Sequence, residues 1–133
     1  MSETDELDEI REQKRAELQE TEESTAVPDE PIHVENAGHL QEILGEYDVV
    51  LVDFYADWCG PCQMLEPIVE DIAAETDAAV AKVDVDAHQQ LAGQYGVRGV
   101  PTVALATNGQ TAEQIVGVRD KSHYVSLIER YSN

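Results

Sequence analysis

The sequence predicts an α/β fold, in which a central sheet is covered by helices on both faces. Short apolar segments alternate with segments of helical periodicity, in the order β-α-β-α-β-α-β-β-α. Residues 49–54 are almost continuously apolar and β-branched, which is typical of a central strand buried on both faces. The Asn108-Gly109 pair predicts a hairpin between the last two strands, which would make the sheet mixed.

The individual elements follow from capping residues and from the spacing of apolar side chains. Asn36 can cap the first helix, Pro61 suits the first turn of the second, and Gly96 ends the third. Strands are predicted at residues 32–34, 49–54, 80–85, 101–106 and 111–118, and helices at 36–47, 61–75, 88–95 and 121–130. The predicted buried helix residues are Leu40, Ile43, Leu44, Leu65, Ile68, Val69, Ile72, Tyr124, Leu127 and Ile128.

The charge balance narrows the classes of partner. The 133 residues suit one domain and include 28 acidic and 8 basic side chains, for a net charge of −20. Such a surface repels nucleic acid and anionic membranes, so we expect neither as a partner. The acidic excess fits a very salty cytoplasm, because at ~1 M salt the Debye length is only about 3 Å. The alternative is an acidic surface that serves solubility alone.

The sequence also bears on location and assembly. No apolar run approaches the ~18 residues of a membrane helix, and the acidic start of the chain lacks the pattern of a secretory signal. We therefore expect a cytoplasmic protein, and we expect a monomer.

The first 30 residues differ from the rest. They contain 12 acidic and 3 basic residues and no aromatic residue, and Pro28 and Pro31 at their end form a short linker. A helix between residues 3 and 23 would have too few apolar side chains to bury one face. We expect residues 1–30 to form a solvated, partly helical or disordered extension, and the alternative is a helix that docks on a partner. The domain proper would comprise residues 31–133.

The two cysteines carry the clearest chemistry. Cys59 and Cys62 follow the central strand by a short turn and open a predicted helix. Backbone N–H groups and the dipole at a helix N-terminus favour an anion, so Cys59 should have a lowered pKa and more thiolate. Cys62 lies one turn later on the same face, within reach of a disulfide. We expect Cys59, the more exposed cysteine, to attack a substrate disulfide and Cys62 to resolve the mixed disulfide.

Two other interpretations of the cysteine pair are weaker. A tetrahedral zinc site would need two further ligands, and His33 and His39 lie upstream, in the reverse of the usual zinc-finger order. Inert thiols are the other alternative. We therefore expect no metal and no other cofactor.

Asp53 and Lys82 are charged residues inside predicted strands. An ionised Asp53 would be costly there, so it is either a strand-end residue facing water or a buried carboxyl group of raised pKa. In the second case it would lie beneath the cysteines and accept a proton from Cys62. Lys82 could pair with Asp53 if their strands are neighbours, and otherwise it is a solvated strand-edge lysine.

Two further residues point to substrate contact. Pro101 begins a predicted strand, a position that tolerates proline. A cis Val100-Pro101 bond would instead leave nearby backbone groups free to pair with an extended substrate segment. Trp58, the single tryptophan, either belongs to the core or shields the reactive turn and offers a contact surface.

The segment Val52-Asp53-Phe54-Tyr55-Ala56-Asp57-Trp58-Cys59-Gly60-Pro61-Cys62 resembles the active-site segment of thioredoxins. The resemblance covers about residues 32–131. It continues through Met64, Pro67, residues 81–86, residues 95–102, Asn108-Gly109 and Gly117.

The resemblance implies a five-stranded sheet flanked by four helices, and an enzyme that reduces protein disulfides and is recharged by a thioredoxin reductase. It implies that Cys59 is the nucleophile, Cys62 the resolving cysteine, and Asp53 and Lys82 a buried pair that tunes Cys62. It also implies a cis Pro101. A substrate-facing surface would comprise Trp58, Gly60, Pro61, Gly99, Val100, Pro101 and Gly117.

Three features depart from the family pattern. Gln63 replaces the basic residue common after the second cysteine, and the acidic extension lies outside the pattern. Tyr55 is only a mild departure, because an aromatic residue is usual at its position. The extension leaves a second hypothesis open, an interaction or chaperone-like module whose redox site is secondary. A third hypothesis, a disulfide oxidant or isomerase, is disfavoured by Gly60-Pro61 and by the missing export signal.

Overall fold

A computed structural model describes residues 26–132, and these contain the predicted elements in the predicted order. The strands are β1 (Ile32–His33), β2 (Val49–Tyr55), β3 (Ala79–Asp84), β4 (Thr102–Thr107) and β5 (Gln110–Val116). The helices are α1 (Ala37–Glu46), α2 (Gly60–Glu75), α3 (Gln89–Gln94) and α4 (Lys121–Tyr131). The helix considered for residues 3–23 lies outside the described residues.

The five strands form one mixed sheet in the order β1-β3-β2-β4-β5. β1 and β2 run parallel to β3, whereas β4 runs antiparallel to both β2 and β5. This arrangement confirms the predicted fold class, a mixed five-stranded sheet flanked by four helices. β2 lies at the centre of the sheet, as its nearly continuous apolar sequence predicts.

The alternation of side chains along β2 divides the core into two layers. Val50, Val52 and Phe54 pack with the buried residues of α1 and α3 on one face of the sheet. Val49 and Leu51 pack with those of α2 and α4 on the other. Successive side chains of a strand point to opposite faces, so Asp53 belongs to the α2 and α4 face. Ile68 of α2, which we expected to be buried, is only partly buried.

Local signals in the sequence account for the ends of these elements. The Asn36 side chain caps α1 by accepting a hydrogen bond from the His39 N–H group at 2.8 Å. Asn108 and Gly109 have φ values of 51° and 84°, the positive φ at both positions that a two-residue hairpin loop favours. α2 is continuous through Pro67. Among residues 26–132, no helix is both long and apolar enough to cross a membrane.

The topology brings three chain segments to one edge of the sheet. β2 ends there at Tyr55, and its parallel neighbour β3 ends there at Asp84. Because β4 is antiparallel to β2, it begins at this edge, with Thr102 opposite Phe54. Pro101, which precedes β4, therefore lies at the edge of the sheet from which the chain continues into α2.

Candidate active site

Cys59 and Cys62 form a disulfide at the N-terminus of α2. Their Cα atoms are 5.2 Å apart, within the range that disulfides require. Cys59 is the N-cap residue of the helix, and its Sγ accepts a hydrogen bond from the Cys62 N–H group at 3.1 Å. Pro61 occupies the first turn, where its missing N–H group leaves no intrahelical hydrogen bond unmade. A thiolate on Cys59 would therefore meet both the free N–H groups and the positive end of the helix dipole.

The disulfide lies in a small apolar cluster. Ala56, Tyr55, Val85 and Val100 pack against the two cysteines. The exposed fractions of Cys59 and Cys62 are 4% and 6%, so the oxidised protein does not show the greater exposure that we expected for Cys59. The position of Cys59 at the helix terminus, rather than exposure, is what distinguishes the two sulfur atoms.

Asp53 is buried in the centre of the sheet, with an exposed fraction of 1%. This burial excludes the alternative in which the residue faces water. Its Oδ1 atom has no hydrogen-bond partner among the described residues. Burial raises the pKa of Asp53 from its ordinary value of 3.8 to about 6, the nearby Lys82 ammonium partly offsets the rise, and Glu66 adds to it. A carboxyl group with this pKa exchanges protons close to neutral pH.

Lys82 lies on β3 directly beside Asp53, because the two residues are register partners. The expected ion pair between them is nevertheless not formed. Among the described residues, the only carboxylate within 4.0 Å of the Lys82 Nζ atom is Glu66, whose Oε2 atom lies at 3.5 Å. The ammonium group also lies 4.5 Å from the centroid of the Tyr55 ring. The Lys82 side chain is itself buried, with an exposed fraction of 7%, which excludes the alternative of a solvated strand-edge lysine. Its ammonium group lies near the Tyr55 ring and the half-exposed Glu66 carboxylate instead of on Asp53.

The residues around Pro101 meet the cysteines at the sheet edge. The Val100-Pro101 peptide bond is cis, as the resemblance implied, and Val100 packs in the cluster of the two cysteines. The Gly117 N–H group donates a hydrogen bond to the Pro101 carbonyl group at 2.8 Å. Gly117 has a φ of 95°, which favours glycine at this position. Gly99 is held next to Pro101 because its carbonyl group accepts a hydrogen bond from the Thr102 hydroxyl group.

Trp58 forms an exposed rim beside the disulfide rather than part of the core. Its exposed fraction is 70%, and its Nε1 atom donates a hydrogen bond to Asp86 at 2.9 Å. The neighbouring Gly60 and Pro61 are also exposed. The described surface has two further large exposed apolar side chains, Met64 and Val116.

A cleft of about 290 Å³ lies on the Cys62 side of the disulfide. It is lined by Tyr55, Ala56, Asp57, Cys62, Gln63, Glu66 and Lys82. The cleft therefore borders both Cys62 and the Lys82–Glu66 pair. Within residues 26–132, no group of three or more histidine, cysteine, aspartate or glutamate side chains could hold a metal ion.

Comparison with known proteins agrees with this geometry. The thioredoxin family model matches residues 30–130. The chain belongs to the thioredoxin family.

One sequence relative is a thioredoxin from Chlamydia caviae, which is 42% identical over 63% of this chain and 83% of the relative. Another is a thioredoxin from Mycobacterium tuberculosis, which is 43% identical over 68% of this chain and 80% of the relative. Solved structures that resemble it include a mutant thioredoxin from Halobacterium salinarum, with a TM-score of 0.79 and 56% identity over 81% of this chain and 96% of that one. A thioredoxin from Schistosoma mansoni has a TM-score of 0.71 and 30% identity over 77% and 96%.

Membership of the thioredoxin family and the Cys59–Cys62 pair together define the activity. The chain is a dithiol–disulfide oxidoreductase, an enzyme that exchanges its own disulfide with the dithiols and disulfides of other molecules. No other redox group is needed for this exchange, because the electrons and protons are held by the two cysteines themselves.

Two residues near the thioredoxin site are missing from the sequence-based prediction. Glu66 follows Cys62 by four residues, a spacing that places both on one side of α2, and this is a signal that could have found it. Asp86 lies beyond β3 and gives no comparable signal, because only the tertiary fold brings it to Trp58. Gln63, which replaces the usual basic residue, donates a hydrogen bond to the Asp57 carbonyl group at 3.3 Å and so contacts the reactive turn.

Proposed function

We propose that the chain reduces disulfide bonds in substrate proteins and is recharged by a thioredoxin reductase. The observation that carries the proposal is the position of Cys59 at the N-cap of α2, where the Cys62 N–H group points at its sulfur. A thiolate stabilised in this way is a nucleophile near neutral pH and also a good leaving group.

We propose that Cys59 starts the reaction. Its thiolate attacks one sulfur of the substrate disulfide, so that a Cys59–substrate S–S bond forms and the substrate S–S bond breaks. The second substrate sulfur leaves as a thiolate and takes a proton from solvent. The positive end of α2 stabilises the attacking thiolate, so no separate base is required for this step.

Cys62 completes the reaction in this proposal. Its thiol transfers a proton to the ionised Asp53 carboxylate, and the resulting thiolate attacks the Cys59 sulfur of the mixed disulfide. The Cys59–Cys62 bond forms, the Cys59–substrate bond breaks, and the first substrate sulfur leaves as a thiol after protonation. The substrate gains two electrons and two protons, and the chain is left in the disulfide form. Lys82 tunes the Asp53 carboxyl group by its positive charge.

We assign substrate contact to the surface that surrounds the disulfide. It combines the exposed apolar ring of Trp58 with backbone groups on the Val100 side, which can pair with an extended segment of substrate. The full proposed surface is Trp58, Gly60, Pro61, Gly99, Val100, Pro101 and Gly117. The packing of Val100 against the two cysteines and the hydrogen bond between Gly117 and Pro101 support this assignment.

Insulin reduction with dithiothreitol tests the assignment of the cysteines. Cys59→Ser should abolish turnover, because the nucleophile is lost. Cys62→Ser should instead accumulate mixed disulfides with insulin, visible as a mass adduct that dithiothreitol removes. The wild-type chain alkylated at both cysteines is the matched inactive control. Unchanged turnover in Cys59→Ser would contradict the proposed mechanism.

The direction of electron flow is tested by the reduction potential of the Cys59–Cys62 pair. The chain is equilibrated with thiol buffers of known potential, and the free thiols are then alkylated and counted by mass. A low potential agrees with a reductant that a thioredoxin reductase recharges. A high potential would assign the chain to the disulfide oxidants or isomerases.

We further propose that the chain works as a monomer in a salty cytoplasm. The net charge of −20 supports this proposal, as does the similarity to a thioredoxin of the halophile Halobacterium salinarum. Residues 1–30 would form an extension outside the catalytic domain. Deletion of residues 1–30 tests that division, because turnover of insulin should be retained.

A further inference from the structure

The Lys82 side chain follows an unexpected course. Lys82 and Asp53 lie side by side on adjacent parallel strands and point to the same face of the sheet. A lysine in this position could place its ammonium group on the buried carboxylate. Instead the chain extends along the sheet, over the ring of Tyr55, and ends 3.5 Å from Glu66. The unpartnered Oδ1 atom of Asp53 is consistent with this course.

Glu66 is close enough to Lys82 to hold its ammonium group away from Asp53. It lies on α2, four residues after Cys62, and its exposed fraction of 50% keeps it in contact with solvent. It lines the cleft beside Cys62 together with Lys82 and the Tyr55 ring. The buried ammonium group of Lys82 is therefore held near the Glu66 carboxylate and the face of the Tyr55 ring, both of which attract a cation.

The groups around Asp53 leave few other sources of charge. β4 contributes the apolar Val103 as its register partner, and α4 contributes the hydroxyl group of the buried Tyr124. The hydroxyl oxygen of Tyr124 already accepts a hydrogen bond from the Arg119 N–H group. The titratable groups that interact with Asp53 by charge are Lys82 from β3, Glu66 from α2, Tyr124 from α4 and Tyr55 from its own strand. The two cysteines of α2 are joined in a disulfide in the oxidised chain and carry no charge.

We propose that Glu66 is a positioning residue for the resolving half of the reaction: by pairing with Lys82, it holds the buried ammonium group beside α2 and the Tyr55 ring and away from the Asp53 carboxyl group. The inference rests on the proposed role of Asp53 as the proton acceptor for Cys62. It adds a third member, on a different element, to the Asp53 and Lys82 pair.

The consequence of the pairing concerns the basicity of Asp53. An ammonium group in direct contact would stabilise the ionised carboxylate, lower its pKa and make it a weaker base toward the Cys62 thiol. Glu66 prevents this contact, and its own negative charge acts on Asp53 in the same direction. The wild-type chain therefore keeps Asp53 as a carboxylate that can still accept a proton close to neutral pH.

The Glu66→Gln variant tests the proposal in the oxidised full-length chain. The signal of the Asp53 side-chain carboxyl carbon is followed by ¹³C NMR from acid to alkaline pH, at one fixed salt concentration. The titration midpoint should fall by about 1 pH unit, because an opposite charge brought within about 4–6 Å lowers the pKa of a carboxylate by roughly 1–3 units. The pH profile of insulin reduction by the reduced chain should move to lower pH in parallel.

Glu70→Gln is the matched control. Glu70 is exposed, lies one turn further along α2, and lines a neighbouring cleft with Glu66 and Lys82. No ion pair within 4.0 Å joins it to Lys82 among the described residues. The substitution removes the same charge, so the midpoint should change much less than in Glu66→Gln. Equal changes in the two variants would overturn the proposal.

The Lys82→Met background separates positioning from the direct charge effect of Glu66. In that background Glu66→Gln should move the Asp53 midpoint much less than in the wild-type chain, since there is no ammonium group to release. An undiminished change would show that Glu66 acts only through its own charge and would overturn the proposal. Because the oxidised chain is titrated without substrate, this result is independent of the insulin assay, whose failure would instead refute the proposed function.

Discussion

The buried Asp53 carboxyl group should make the protein less stable at neutral pH than an otherwise identical chain that lacks the charge. The perturbation is Asp53→Asn, which keeps the shape of the side chain and removes its ionisation. The residue is almost fully buried, and none of the described residues donates a hydrogen bond to its Oδ1 atom, so burial makes the ionised form costly.

The magnitude follows from the pKa of Asp53. A rise from 3.8 to about 6 means that the folded state binds the proton more tightly than the unfolded state. Relative to Asp53→Asn, the free energy of unfolding of the wild type is therefore highest at pH values low enough to protonate Asp53 in both the folded and the unfolded chain. It should fall as the pH rises from about 4 to above 6, by about 3 kcal/mol in total at 1.36 kcal/mol per pKa unit. Above that pH range, Asp53→Asn should be more stable than the wild type by about this amount.

Urea denaturation of both oxidised chains at several pH values, at one salt concentration, measures this difference. Asp77→Asn is the matched control, because Asp77 is an exposed aspartate and its replacement should not produce the same dependence on pH. Asp53→Asn should also slow the release of trapped insulin from the mixed disulfide, since the proton acceptor is lost. A stability difference between Asp53→Asn and the wild type that stays constant from pH 4 to pH 8, or that grows toward acid, would refute the reasoning.

Three further predictions concern the rest of the molecule. The midpoint of thermal unfolding should rise between low salt and molar potassium chloride, because screening weakens the self-repulsion of a chain with a net charge of −20; a level midpoint would contradict adaptation to salt. Gly109→Ala should lower the free energy of unfolding by about 1–2 kcal/mol in urea denaturation, since φ at this residue is 84°. The control Gly45→Ala should not be destabilising, because Gly45 lies inside α1 and an added Cβ atom would meet nothing within 4 Å. Tyr124→Phe should cost about 1–3 kcal/mol, because the Arg119 N–H group loses its 3.0 Å hydrogen bond; an unchanged midpoint in urea would mean that water replaces the hydroxyl group.

Local patterns in the sequence were sufficient to predict the elements of the fold. Strands and helices depend on the spacing of nearby side chains and on capping residues such as Asn36, and these contacts span only a few residues. The antiparallel β4–β5 pair was predictable for the same reason, because Asn108-Gly109 forms a two-residue loop. The order of strands was less accessible. The position of β4 beside β2 depends on contacts between residues far apart in the chain.

The active site likewise has features that the local sequence predicts and features that only the tertiary structure determines. Cys59 at the end of a strand and the start of a helix could be recognised from the sequence, since the helix dipole and the free N–H groups act within one turn. The sequence by itself also singled out Asp53, Lys82 and Pro101. Only the tertiary structure decided that the Lys82 ammonium meets Glu66 rather than Asp53 and that Asp86 binds Trp58. The physical reason is that the end of a long charged side chain goes where the folded chain supplies an opposite charge or an aromatic face, here Glu66 and the Tyr55 ring, and these are not its neighbours in sequence.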